Sequence, residues 1–321
     1  MTSGKPPRSR GPDDKKAILI ALITLMGLVL AALADRVLGS VQDGRAETVV
    51  ALRTSPETGT TAPAAPVGFQ AAIETIGGAE QGRNGLLVRA VEDDWVAGYR
   101  GATTFSQGAA RRVWLGAALL DAIERGELSL EQQVPLLAEK RSGRQPRRQL
   151  GELLRRAMAD DDRVSQDHIL DGLNGPEGLA RWLEEKDIAE VAYGPANRDL
   201  EKATARPADA ATPDGMAFGL GQLYAGKLIG SSSAERLLGY FPAAHALLDE
   251  SAAGWQVRIM TGETRGAKGR VVAASGAAFI RSRAGRHFII VAFADGPANP
   301  AGRRDQLIAN AFAALVQTEM R

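Results

Sequence analysis

The sequence predicts an α/β (α+β) protein, in which an antiparallel sheet drawn from both chain ends encloses a central helical subdomain behind an N-terminal transmembrane helix. Three observations carry this reading. Strand-like apolar runs at residues 85–91 and 95–100 come first, and matching runs return at 255–262, 271–280 and 287–294. Between them, from 109 to about 240, the apolar spacing is helical. Ahead of all of these, residues 17–34 form an 18-residue run without charge, interrupted only by the polar Thr24.

Taken in order, residues 1–16 are rich in charge, proline and glycine and read as a cytoplasmic tail. Residues 17–40 hold the apolar run, which is long enough to cross a bilayer as a helix. Lys5, Arg8, Arg10, Lys15 and Lys16 precede it and only Arg36 and Arg45 follow closely. The positive-inside rule therefore leaves the N-terminus in the cytoplasm and exports the rest. Ala32-Leu33-Ala34 before Asp35 also has the small-residue form of a signal-peptidase site, so the segment is an anchor or a signal sequence. The expected location is the inner (cytoplasmic) membrane, single-pass, with the C-terminal part outside the cytoplasm. Residues 41–66 are dense in Thr, Pro, Ala and Gly and suit a flexible linker.

The globular part is expected over 67–321. A helical pattern runs through Phe69, Ala72 and Ile76, and Asp93-Asp94 makes a turn between the first two strands. The helical block is interrupted by a Pro- and Ala-rich stretch at 192–213. The chain closes with an amphipathic helix over 304–320 whose apolar positions include Leu307, Ile308, Phe312 and Leu315.

Composition excludes several functions. A net charge of +1 gives no electrostatic footprint for nucleic acid. Cysteine is absent, which removes disulfides, thiol catalysis and thiolate metal sites. The three histidines, His168, His245 and His287, have no metal-ligand spacing. The sequence thus points to no cofactor and no metal.

The most informative stretch is Phe105-Ser106-Gln107-Gly108-Ala109-Ala110-Arg111-Arg112-Val113-Trp114, leading to Gly126-Glu127-Leu128-Ser129-Leu130. It resembles the nucleophile helix of class A β-lactamases and the related penicillin-binding proteins, in which Ser-x-x-Lys opens a buried helix. Ala109 and Arg112 fall at the serine and lysine positions. Alanine has no atom that can form an acyl-enzyme, and arginine cannot act as a neutral base. None of the eight lysines has a serine three positions before it.

Two more motifs of the resembled family meet the same fate. Asn174-Gly175-Pro176 matches its Gly-Gly-Pro helix start, and counting back places Asp161-Asp162-Arg163 at the Ser-Asp-Asn motif, with the serine lost. Met260-Thr261-Gly262 stands at the Lys-Thr-Gly strand motif: the charge is gone, while Thr261 keeps a hydroxyl that a ligand could use. Met260 reads as a core filler. Residues 193–198 and 209–213 resemble the ends of the loop that carries the deacylating glutamate, and Glu201 is the one glutamate between them. The resemblance implies a β-lactamase/transpeptidase-like fold without its usual reaction.

Further expectations concern charge. Arg111 and Arg112 stand where a polar side chain can fill the vacated cleft, and Arg112 is expected to pair with Asp161 or Asp162. Lys140, Arg141, Arg144, Arg147, Arg148, Arg155 and Arg156 form a basic cluster that reads first as a solvated face. The functional expectation is a catalytically inactive, exported domain that binds or scaffolds at the cell envelope, with a peptidoglycan fragment or envelope protein as partner. The alternative is an active β-lactam hydrolase or carboxypeptidase-type enzyme using Ser106 or Ser165.

Overall fold

The computed structural model of the chain describes residues 63–79, 81–136, 146–188, 190–193, 209–247, 252–266, 269–296 and 298–320. The expected anchor and most of the linker lie outside the described residues. Among the described residues, no helix is long and apolar enough to cross a membrane.

Its centre is a five-stranded antiparallel sheet in the order β2-β1-β9-β8-β7. These strands are β1 (Arg83–Ala90), β2 (Val96–Tyr99), β7 (Gln256–Arg265), β8 (Val271–Arg281) and β9 (His287–Asp295). The register of β1 against β9, Arg83 opposite Asp295 and Ala90 opposite Phe288, joins the two ends of the domain. Because successive strand side chains face opposite ways, Leu86, Val88, Ile290 and Ala292 enter one core while Leu87, Ile289, Val291 and Phe293 enter another. Burial on both faces explains why 287–294 reads as nearly unbroken apolar sequence.

One face is covered by α1 (Phe69–Ala79) and α8 (Pro300–Glu319). In α1 the buried stripe is Phe69, Ile73 and Gly77, while Ala72 and Ile76 are only half-buried, so the inward face is rotated from the expected one. α8 buries Leu307, Ile308, Phe312 and Leu315 as expected. It starts at Pro300 and not at 304, because Asn299 caps it by accepting from the Gly302 N–H (3.1 Å) and proline suits the first turn.

The other face meets the helical subdomain: α2 (Arg112–Glu124), α3 (Leu150–Ala159), α4 (Arg163–Gly172), α5 (Gly175–Glu185), α6 (Pro213–Tyr224) and α7 (Ser231–Gly239). Every residue of α2 from Arg112 to Ala122 is buried, so this helix runs through the middle of the block and shows no polar face. Two short pairings were beyond periodicity to detect: β3 (Phe105–Ser106) with β6 (Ala210–Ala211), and β4 (Gln133–Pro135) with β5 (Arg147–Gln149). Ordered contacts also begin slightly before residue 67, where Ala64 bridges Val96 and Ala65 packs on the α8 core.

Candidate functional site

The site forms where a 3₁₀ turn, Gly108–Arg111, feeds into α2 beside β7. Gln107 anchors the turn from below. Its side-chain nitrogen donates to the carbonyls of Ala192 (2.8 Å) and Ala210 (3.2 Å), its side-chain oxygen accepts from Trp114 Nε1 (2.7 Å), and its backbone carbonyl accepts from Ser275 Oγ (2.5 Å). Gly108 adopts φ +51, and a Cβ there would lie 2.7 Å from Thr264 Oγ1, so only glycine lets the turn sit this close to β7. Gly262 meets the turn from the strand side, where a Cβ would collide with the Ala110 backbone nitrogen. Sheet and helix start are thereby held in contact through backbone.

Ala109 lies in this turn, half-buried and without a reactive atom. Arg112 opens α2 with its side chain 7% exposed. Its Nη1 donates to the carbonyls of Ala109 (2.9 Å) and Thr261 (2.8 Å), and its Nε donates to the carbonyl of Met158 (3.1 Å). The Asp161 carboxylate stands 3.7 Å from Nη1, and the guanidinium carbon lies 5.8 Å from the Phe241 ring centroid. Burial pulls the Arg112 pKa down from the usual arginine range, and Asp161 opposes it. One side chain thus ties together the positions of all three motifs.

Of the residues singled out from sequence, Ala109, Arg112, Asp161, Thr261 and Gly262 converge here. The expected ion pair resolves to Asp161. Asp162 turns away: it precedes α4, accepts from Ser165 Oγ (2.5 Å) and pairs with Arg156 (3.1 Å). The Ser165 hydrogen bond holds the Asp162 carboxyl below its usual range; burial opposes this and the charge of Arg156 assists it. Met260 is fully buried in the core that faces the helices.

The two hydroxyls considered as alternative nucleophiles are both occupied and buried. Ser165 donates to Asp162. Ser106 donates to Asp209 Oδ1 (3.1 Å), shares a hydrogen bond with Thr264 Oγ1 (3.1 Å) and accepts from the Gly108 N–H (3.3 Å). Among the described residues, neither has a lysine or histidine as a partner. Burial pushes the Asp209 carboxyl up to about 6, against the opposing charge of Arg111 and the Ser106 hydrogen bond, and Oδ2 has no hydrogen-bond partner among the described residues. Arg111 itself lies over the Tyr193 ring, 4.9 Å from its centroid.

Of the two loop ends recognised in the sequence, 194–198 lie outside the described residues, and 209–213 meets the residues just before the first end, for the Ala192 N–H donates to the Ala210 carbonyl (2.7 Å) and Val191 bridges Ala211. Glu201 lies outside the described residues. So do Lys140, Arg141 and Arg144 of the basic cluster. Of the four described members, Arg147 is exposed on β5, and Arg148, Arg155 and Arg156 pair locally with Glu152, Asp160 and Asp162, as a solvated face does. Among the described residues, no group of three or more His, Asp or Glu side chains is placed to hold a metal.

The model of the β-lactamase enzyme family matches residues 68–318. The chain belongs to the β-lactamase enzyme family. Solved structures agree on the fold of this family member. A β-lactamase from Xanthomonas campestris is 21% identical with a TM-score of 0.66, the match covering 78% of this chain and 97% of that one. One from Chitinophaga pinensis is 20% identical at TM-score 0.66, covering 78% and 99%. One from Burkholderia vietnamiensis is 17% identical at TM-score 0.66, covering 79% and 97%. No curated relative matches the sequence.

Proposed function

We propose that this β-lactamase-family domain is a pseudoenzyme that performs no acyl transfer and acts by binding or scaffolding at the cell envelope. The observation that carries this reading is the Arg112 guanidinium, fixed to the carbonyls of Ala109, Met158 and Thr261. Acyl transfer needs a nucleophilic oxygen and a neighbouring group that can take its proton. Ala109 supplies no oxygen, and a permanently charged guanidinium with three carbonyls around it supplies no base. The apolar run at 17–34 supports export, with the chain held in the cytoplasmic membrane. A peptidoglycan fragment or an envelope protein is the proposed partner, on analogy with the chemistry this fold serves.

The test is to expose the full-length chain to a fluorescent penicillin and read intact mass, with a chromogenic cephalosporin assayed in parallel. The expected result is neither adduct nor turnover, together with co-sedimentation of the protein with purified peptidoglycan or capture of an envelope protein. A covalent adduct that disappears in Ser106→Ala or Ser165→Ala would overturn the proposal in favour of an atypical hydrolase.

A further inference from the structure

Away from Arg112, at the end of the sheet where β7, β8 and β9 reach α6 and α7, lies a cavity of about 300 Å³. Its floor follows from register. Gln256 is opposite Arg281, which is opposite His287, so these three side chains form one row across three strands. The next row on the same face brings Arg258 opposite Phe279. Tyr224, the last residue of α6, packs edge-on against both Phe279 (5.9 Å) and His287 (4.6 Å), while Glu235 comes from α7.

The charges of this wall do not cancel. Arg258 Nη1 donates to the carbonyls of Phe241 (2.8 Å) and Gly239 (3.3 Å), which orient it without neutralising it. Arg281 has no ion-pair partner among the described residues, and neither does Glu235. The Glu92 carboxylate lies 2.5 Å from His287 Nδ1. Among the residues that line the cavity, two guanidiniums, Arg258 and Arg281, stand against one carboxylate, Glu235. The Tyr224 hydroxyl makes no hydrogen bond among the described residues, and burial pushes its pKa up to about 12, so it keeps a proton to donate.

We propose that this cavity binds a small monocarboxylate with an apolar body, its carboxylate held by Arg281, Arg258 and the Tyr224 hydroxyl and its body against Tyr224 and Phe279. Guanidinium and phenol donors supply charge-assisted hydrogen bonds to a carboxylate. The volume lies at the lower end of small-molecule sites. The two guanidiniums in the lining match a single carboxylate group, and Glu235 disfavours more highly charged ligands. The site shares no lining residue with the Arg112 cleft and does not rest on the pseudoenzyme reading.

The test uses benzoate as probe and benzamide as its uncharged isostere, added to the full-length chain with isotope-labelled histidines near neutral pH. Benzoate is expected to shift the His287 ring resonances saturably and leave those of His168 unmoved. Benzamide is expected to bind about tenfold more weakly or not at all, as loss of charge-assisted bonds requires. Arg281→Gln, at an exposed strand end, should weaken benzoate about tenfold, and Tyr224→Phe about threefold. No saturable shift at His287, equal binding of benzamide, or undiminished binding in Arg281→Gln by a variant with unaltered thermal unfolding would each overturn the proposal.

Discussion

Arg112 and Arg281 are both cations on the helix-facing side of the sheet, and their settings differ in kind. Arg112 is nine-tenths buried, and its donors go to three backbone carbonyls contributed by a turn, a helix and a strand. Arg281 is exposed at a strand end and has no partner among the described residues. The first charge is consumed by the fold and the second is available to a ligand. Residue type alone therefore says little about where this protein can bind an anion. Phe241 lies between the two settings: its ring is under Arg112 and stacks on Phe279 (6.0 Å), and its carbonyl holds Arg258.

Phe241→Ala touches both settings and has the largest expected effect. Removing a buried ring costs about 3–5 kcal/mol, and calorimetric unfolding should show it together with weakened benzoate binding. Arg112→Ala removes the side-chain donors of the Met158 and Thr261 carbonyls, while the Ala109 carbonyl keeps the residue-112 backbone N–H, at an expected cost of about 2–4 kcal/mol. Arg281→Ala should fall within about 0.5 kcal/mol, as an exposed substitution does. Chemical denaturation of the two variants side by side would collapse the distinction if their losses were equal.

A smaller effect comes from pH. Burial pushes both Asp209 and Asp295 up to about 6 from 3.8 in the unfolded chain. Between those values the folded state binds more protons than the unfolded one, so stability falls as pH rises. Their contribution is full below about 4 and lost as pH passes about 6. Thermal unfolding should therefore occur at higher temperature near pH 5 than near pH 8, with Asp209→Asn flattening the difference by about 1–3 kcal/mol. The smallest effect is expected for Ala109→Ser: with Arg112 in place the new hydroxyl has no base, and mass spectrometry after penicillin treatment should find no adduct.

Much of this architecture is legible in the amino-acid sequence. β1, β8 and β9 reveal themselves because they are buried on both faces and β7 because exposed and buried residues alternate along it, and the bounds of the five strands shift by at most three residues. Thr264, for example, still pairs with Ala273, which carries β7 past residue 262. The pairs β3–β6 and β4–β5 are two and three residues long, too short for any period. At the site, Ala109 and Arg112 are readable through motif frame and spacing. Two of Arg112's three acceptors, the Met158 and Thr261 carbonyls, are not, since backbone groups leave no signature in side-chain sequence. The Ser106–Asp209 bond spans 103 residues, and the cavity wall draws on residues 224, 235, 258, 281 and 287, so only the fold brings them together.

The pairing of β1 with β9 has a temporal consequence. Their paired residues are about 200 positions apart. At a synthesis rate of about 5–20 residues per second, β1 waits about 10–40 seconds for its neighbour to be made. Throughout that interval one edge of the β1–β2 hairpin has unsatisfied backbone groups, and such an edge is a template for mispairing with other chains. A chain that stops before residue 287 never covers that edge. The last hairpin, followed in the chain only by the closing helix and its flanking residues, therefore decides whether the nascent domain becomes a closed sheet or an aggregation seed.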